Sequence, residues 1–310
     1  MRVLVIGGTR YLGRAIVQRL AARGDEVTVA NRGQTASDLP LGVAQVTCDI
    51  DEPGSLLGAL EGLNFDAAVH MIAMNGPRAL TVLEDLRGRI DHYVQCGSTG
   101  GYMPLQVVPA DEDHPVDPPS DKGGGFNGKA EAYRQAAELC AEWGLPMTSV
   151  NPTCIIGAGA TPIDIWGARD PKFFQRMADG KRITIPNDGR GLVQLGNVQD
   201  IADCFVLALD RPDKPGVYNA SSRYAITHNY YVELLAEALG VSAKVRHMSV
   251  AKIIKRWPDK VNVRGIRFFA EHMCFTMRRA ERELGYEPKF TPEMSVDENV
   301  RWMLDEGIVT

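Results

Sequence analysis

The chain opens on a short apolar run, Arg2–Ile6, that passes straight into Gly7-Gly8-Thr9-Arg10-Tyr11-Leu12-Gly13. A segment with apolar residues at helical spacing follows: Leu12, Ile16, Val17 and Leu20. A β-branched run without polar alternation reads as a parallel strand buried on both faces. Gly7 permits a tight turn, and Gly13 lets the helix pack close to the strand. The first helical N–H groups then face whatever sits above the turn, which suits a pyrophosphate. A ligand-free turn would use some of the same residues. Strand, glycines and helix in this order, followed by further alternation, favour a dinucleotide site.

The alternation continues. Strands are expected at 26–30, 43–49, 67–72, 92–96 and 147–151, and helices at 56–63, 79–86 and 129–143. This predicts an α/β fold, a Rossmann-type doubly wound parallel sheet with helices on both faces. Residues 103–128 break the pattern with Pro, Asp and Gly, and so long a loop is expected to border an active site. Beyond 151, residues 157–170 are irregular. Helices are expected at 173–177 and 198–209, strands at 182–186 and 216–220, and mostly helix over 229–269. Residues 1–150 with 195–220 are expected to form the dinucleotide-binding domain. Residues 151–194 with 221–310 are expected to form a smaller, interleaved C-terminal substrate lobe.

Composition narrows the class. In 310 residues, 45% are hydrophobic and 24% charged, which is ordinary globular usage. The formal net charge of -5 argues against a nucleic-acid partner. The six cysteines form no C-x-x-C pair and sit singly in apolar runs, so they read as buried hydrophobes rather than disulfides or metal ligands. No metal is expected. The opening apolar run is too short for a signal peptide, and no run is long enough to span a membrane. Together these predict a cytoplasmic location and no membrane partner.

The cofactor residues follow from strand ends, since ligands bind outside the carboxyl ends of such strands. Gly7, Thr9, Arg10, Tyr11, Leu12 and Gly13 form the opening turn. Arg10 stands where the middle glycine of G-x-x-G-x-x-G would be. The second strand ends in Ala30-Asn31-Arg32, with no acidic residue for a ribose 2′-hydroxyl. Arg10 and Arg32 could instead grip a 2′-phosphate, so NADP is expected, with NAD possible. Asp49, with Ile50 beside it, ends the third strand near the adenine. His70 and Met71 end the fourth and would line the cleft, His70 as a structural residue.

Six stretches resemble the NAD-dependent epimerase/dehydratase family, the extended short-chain dehydrogenases. They are GGTRYLG, VQCGSTGGYMP, NPTCIIGAG, VQLGNVQDIA, VYNASS and RRAERELGYEP, in the family's order and across nearly the whole chain. The GGTRxxG and NRG pair is similar to one branch that also contains chloroplast stem-loop RNA-binding proteins. The resemblance implies a catalytic Ser98, with Thr99 beside it, and Lys129 as the lysine of a Tyr-x-x-x-Lys pair that also holds the nicotinamide ribose. Pro152 would pack the nicotinamide. The tyrosine position is then Gly125, and GGGFNGK contains no tyrosine. Candidate replacements are Tyr102, Tyr133 or an acid of the run Asp111-Glu112-Asp113. Tyr102 is also a position that the family fills for structural reasons.

The expected function is therefore that of an NAD(P)-dependent oxidoreductase, epimerase or dehydratase with an atypical active site, acting on a sugar or nucleotide-sugar-like substrate. The alternatives are a non-redox dinucleotide-binding regulatory protein or an RNA-binding member of the same fold. Basic residues Lys252, Lys255, Arg256, Lys260, Arg264 and Arg267, with Trp257, could meet a diphosphate. Gln194 and Asn197 are candidate wall residues of the substrate site, and Asp200 matches an aspartate usual in the family. The resemblance also implies a possible homodimer through the helices at 79–86 and 129–143.

Overall fold

The computed structural model describes residues 1–34, 38–116 and 127–310. In chain order its elements are β1 (Arg2–Ile6), α1 (Tyr11–Arg23), β2 (Glu26–Asn31), β3 (Ala44–Thr47), α2 (Ser55–Ala59), β4 (Ala67–His70), α3 (Gly76–Asp85), β5 (Tyr93–Cys96), α4 (Asn127–Trp143) and β6 (Met147–Pro152). The second half holds β7 (Cys154–Ile156), α5 (Pro171–Ala178), β8 (Ile183–Pro186), β9 (Leu192–Val193), β10 (Leu195–Asn197), α6 (Val198–Leu209) and β11 (Gly216–Ala220). It continues with β12 (Ile226–Thr227), α7 (His228–Ala238), β13 (Val245–Met248), α8 (Val250–Arg256), α9 (Val263–Phe269), α10 (Arg278–Leu284) and α11 (Pro292–Asp305).

Seven strands form one parallel sheet in the order β11-β6-β5-β4-β1-β2-β3. The order reverses between β1 and β4, and there the carboxyl ends of the strands part to leave a crevice. The apolar stripe read from the sequence explains why α1 lies on this sheet. Leu12, Ile16, Val17 and Leu20 are all buried and share a core with α6 and α10. Full burial of each such side chain stabilises the fold by about 1.5–3 kcal/mol. The opposite face is covered by α2, α3 and α4 around Leu56, Leu83, Tyr93 and Ala136. A third core, around Phe174, Tyr231, Phe269 and Val300, belongs to the C-terminal elements.

Two differences from the sequence reading matter. Residues 229–269 are mostly helical, as α7, α8 and α9, but between α7 and α8 the segment Val245–Met248 is a strand that pairs in parallel with β8. Alternating exposure of Val245, Arg246, His247 and Met248 gives a strand at the lobe surface, and only the distant β8 supplies its partner. The segment at 56–63 is helical only to Ala59, where a turn over Leu60–Leu63 takes over. Gly216–Ala220 joins the sheet beside β6, whereas Leu195–Asn197 pairs with β7 outside it.

The loop before α4 is partly tied down. Among its described residues, Ala110 bridges to Phe275, and the Glu112 carboxylate accepts from the Asn219 amide in β11 at 2.9 Å. Arg279 reaches Asp113 at 2.7 Å. Asp111 accepts from the Asp113 amide. The acidic run thus pins the loop to β11 and α10, and none of its three carboxylates lines the crevice at the carboxyl ends of the strands.

Candidate functional site

The crevice at the carboxyl ends of β1, β2, β3 and β4 opens into a groove of about 610 Å³. Gly7 turns out of β1 with φ +87°, a conformation that an L side chain rarely adopts. A Cβ on Gly13 would stand 2.4 Å from the Gly7 carbonyl oxygen, so only glycine lets α1 begin this close to the strand. No side chain caps α1, and no acidic residue lies in its first turn. Its leading N–H groups are thus left for an anion above the turn. The backbone fits a dinucleotide pyrophosphate on these observations.

The groove brings together most of the expected cofactor residues: Gly7, Thr9, Arg10, Tyr11, Leu12, Gly13, Asn31, Arg32, Asp49, Ile50, Met71 and Lys129 all line it. At the end of the groove beside β2, Asn31 turns its Oδ1 onto the Gly33 amide at 2.6 Å, while its buried Nδ2 has no partner among the described residues. Arg32 is exposed and makes no ion pair among the described residues. Asp49 accepts from the Asp51 amide at 3.1 Å. At the other end, the Lys129 ammonium donates to the Cys96 and Gly97 carbonyls at 3.1 and 3.2 Å. These bonds place the cation at the carboxyl end of β5, one residue from Ser98.

Other expected residues fall elsewhere. His70 is fully buried, with Nδ1 2.7 Å from the Tyr93 hydroxyl. Burial, then the positive Arg78 and Lys129, push its pKa down to about 3, so the imidazole is neutral. Thr99 donates to the Pro152 carbonyl at 3.2 Å, and both side chains are buried outside the groove lining. Tyr102 is buried in the third core, and its oxygen accepts from Asn151 at 2.9 Å. Burial raises its pKa, and the phenol neither reaches the groove nor ionises readily. Ser98 is half-buried, and its Oγ caps the following turn by accepting from the Gly100 amide. Tyr133 packs against the α2–α4 core. Gly125 and Phe126 lie outside the described residues. Tyr11 is the one phenol among the described residues lining the groove.

Gln194 and Asn197 are spent on structure rather than on a wall. Gln194 bridges the Ser222 carbonyl and the Phe275 amide, and Asn197 caps α6 and donates to Glu298. Asp200 accepts from the amides of Lys289 and Phe290.

The sequence reading missed Arg78 and Asp51. Both line the groove, joined by a two-pronged ion pair at 2.7 and 2.6 Å. The signal was present in Asn75-Gly76-Pro77, since an asparagine cap with proline at the helix start places Arg78 in the first turn of α3.

A second cavity of about 470 Å³ lies in the C-terminal lobe, between the segment at 164–170, α5, β8 and β13. Lys172, Arg176, Arg182, Arg246 and Lys260 give its wall positive charge, against Asp164, Asp170 and Asp259. Trp166 and Trp257 pack 5.4 Å apart, and Arg246 and Arg256 each lie over the Trp257 ring. Of the basic segment read from the sequence, Lys260 and Trp257 reach this cavity, while Lys252, Lys255, Arg264 and Arg267 do not.

Comparison with known proteins agrees with this geometry. The chain is 26% identical to 2-alkyl-3-oxoalkanoate reductase of Stenotrophomonas maltophilia, over 97% of this chain and 98% of the relative. It is 25% identical to the chloroplast stem-loop binding protein of 41 kDa b of Arabidopsis thaliana, over 93% of this chain and 75% of that protein. Its fold matches the UDP-glucose 4-epimerase of Thermotoga maritima, solved with UDP-glucose, at a TM-score of 0.78 and 20% identity, with 99% of each chain covered. The model of the NAD dependent epimerase/dehydratase family matches residues 3–221, from β1 through β11, and the chain belongs to that family.

Proposed function

We propose that the protein binds NADP in the groove above β1–β4 and acts as an oxidoreductase, epimerase or dehydratase on a sugar or nucleotide-sugar-like substrate held by the C-terminal lobe. One observation carries the reading. A single groove has an uncapped helix start and close-packed glycines in its opening turn, and the Lys129 ammonium, held by two backbone carbonyls, also lines it. Arg32 just after β2, with Arg10 in the turn, supports the phosphorylated cofactor, since the strand ends in Ala30-Asn31-Arg32 with no carboxylate at that end for a ribose hydroxyl. When bound, the nicotinamide accepts or donates a hydride. The chain's own residues bind and orient it: the α1 amides face the pyrophosphate, Lys129 the nicotinamide ribose, and Met71 and Ile155 exclude water from the groove walls.

The cationic second cavity supports a substrate with an anionic handle, and its indole pair supports a planar group beside that handle. UDP-glucose in the matching epimerase is such a molecule. The proton that accompanies hydride transfer has no phenol beside Lys129 among the described lining residues. The reading therefore draws that proton from solvent or from the substrate rather than from a Tyr-x-x-x-Lys pair. Residues 1–150 with 195–220 as the cofactor domain, the remainder as the substrate lobe, cytoplasmic residence and a homodimer through α3 and α4 belong to the same reading. Within the chain, α3 and α4 pack against each other.

Titration of the purified protein with NADPH and NADH, followed by nicotinamide fluorescence, tests the first part. Binding of NADPH in the micromolar range is expected, followed by turnover of at least one member of a nucleotide-sugar and sugar panel. If neither dinucleotide binds at millimolar concentration, the proposal fails.

A further inference from the structure

Arg169 lies between the two cavities, bonded to residues of one and flanked in sequence by residues of the other. Its guanidinium donates to the Ile155 carbonyl at 3.3 Å and to the Thr161 carbonyl at 2.5 Å, and lies 5.7 Å from the centre of the Tyr11 ring. Tyr11 and Ile155 line the dinucleotide groove. The neighbours of Arg169 on either side, Ala168 and Asp170, line the second cavity, as do Asp164 and Trp166 in the same segment. One side chain thus fastens a wall of one cavity to a wall of the other.

The segment it fastens is stiff on the substrate side. The Asp164 carboxylate accepts from the amides of Trp166 and Ala168, and Trp166 donates through its indole to the Thr184 carbonyl in β8 at 2.8 Å. Its start is held from α11, where Asn299 donates to the carbonyls of Gly157 and Ala160. On the cofactor side, Tyr11 takes φ +41°, an uncommon conformation for a residue with a side chain, and its buried hydroxyl lies beside the Arg169 guanidinium. Such a residue keeps its place only while its surroundings hold it. The surroundings in contact with its ring include Arg169.

We infer that Arg169 is a positioning residue that couples the two cavities, so that an anionic ligand seated against the segment at 164–170 and a dinucleotide seated on Tyr11 strengthen each other's binding. This rests on the functional reading above. Filling the second cavity fixes Trp166, Ala168 and Asp170, and through them Arg169. A fixed Arg169 holds Tyr11 in the conformation that the dinucleotide meets. Linkage makes the effect equal in both directions.

The test measures the NADPH dissociation constant with and without saturating UDP, and the UDP constant with and without saturating NADPH, in the wild type, Arg169→Lys and Arg169→Ala. The expected wild-type result is a mutual gain of about tenfold, the same in both directions. Arg169→Lys keeps the charge but cannot reach two carbonyls and the ring together, and should lose most of the gain. Arg169→Ala should abolish it while each ligand alone still binds. Thermal melting confirms that the variants are folded. Failure of both NADPH and NADH to bind the wild type would sink the functional reading and this inference with it, while failure of UDP alone would overturn only the inference. Binding of NADPH and UDP without mutual gain, displacement of NADPH by UDP, or an undiminished gain in folded Arg169→Ala would overturn the inference alone.

Discussion

The Lys129 ammonium lies 3.1 Å from the Cys96 carbonyl and 3.6 Å from the Cys96 sulfur, so α4 delivers its cation to the very end of β5. Two carbonyls use two of its three N–H donors. The third meets only the weakly accepting sulfur and is available to a ribose hydroxyl. Lys129→Met keeps the stem and removes the donors. We expect a NADPH dissociation constant raised about tenfold, the loss of one hydrogen bond to a charged group. Turnover should fall by at least about 10²-fold. Fluorescence titration and steady-state rates read the two effects, and wild-type values in a folded variant would remove Lys129 from the site.

Gly13 is the position where the site and the fold make the same demand. Gly13→Val places a β-carbon 2.4 Å from the Gly7 oxygen and 3.1 Å from the Gly8 Cα, both backbone atoms that cannot swing aside. The opening turn must open or α1 must shift. A loss of about 1–3 kcal/mol in urea unfolding is expected from the overpacking. NADPH binding should disappear even at temperatures where the variant is fully folded. Retained affinity would show that the pyrophosphate sits elsewhere.

What the sequence made legible was local. The opening turn, Val198–Leu209 and Gly216–Ala220 follow from periodicity and punctuation within a few residues. The placement of Thr99, Tyr102 and Pro152 was not legible, because a motif tells which residues follow a strand but not which way each side chain turns. His70 and Met71 show the difference: as neighbours at one strand end they face opposite ways, and only Met71 meets the groove. Arg78, Asp51 and Ile155 reach the groove from three different elements, and that meeting depends on the order of strands in the sheet. The strand Val245–Met248 was hidden for the same reason, since its partner β8 lies far away in sequence.

Arg32 should decide between the two dinucleotides. It is exposed, follows β2 directly and meets no carboxylate among the described residues. Arg32→Glu replaces a charge that attracts a 2′-phosphate with one that repels it. NADPH affinity should drop about 10–100-fold, because a charge-assisted hydrogen bond gives way to a repulsion, while NADH affinity changes by less than about threefold. An equal effect on both dinucleotides would place the 2′-position away from Arg32.

His70 predicts a pH signature. Its pKa is about 3 in the fold, driven down first by burial and then by Arg78 and Lys129, against 6.5 for a free imidazole. Below pH 6.5 the unfolded chain takes up a proton that the folded one refuses. Stability is therefore complete above the unfolded value and is lost as the pH falls toward the folded one. His70→Asn keeps a group that can bond the Tyr93 hydroxyl and removes the titration. Between pH 6.5 and 5 the wild type should lose about 1.6 kcal/mol relative to His70→Asn, since the unfolded imidazole goes from half to almost fully protonated while the folded one stays neutral. Urea unfolding of both proteins at pH 7.5, 6 and 5 reads this as a widening gap. Parallel curves would mean that the folded protein opens to water at His70 and lets the ring charge.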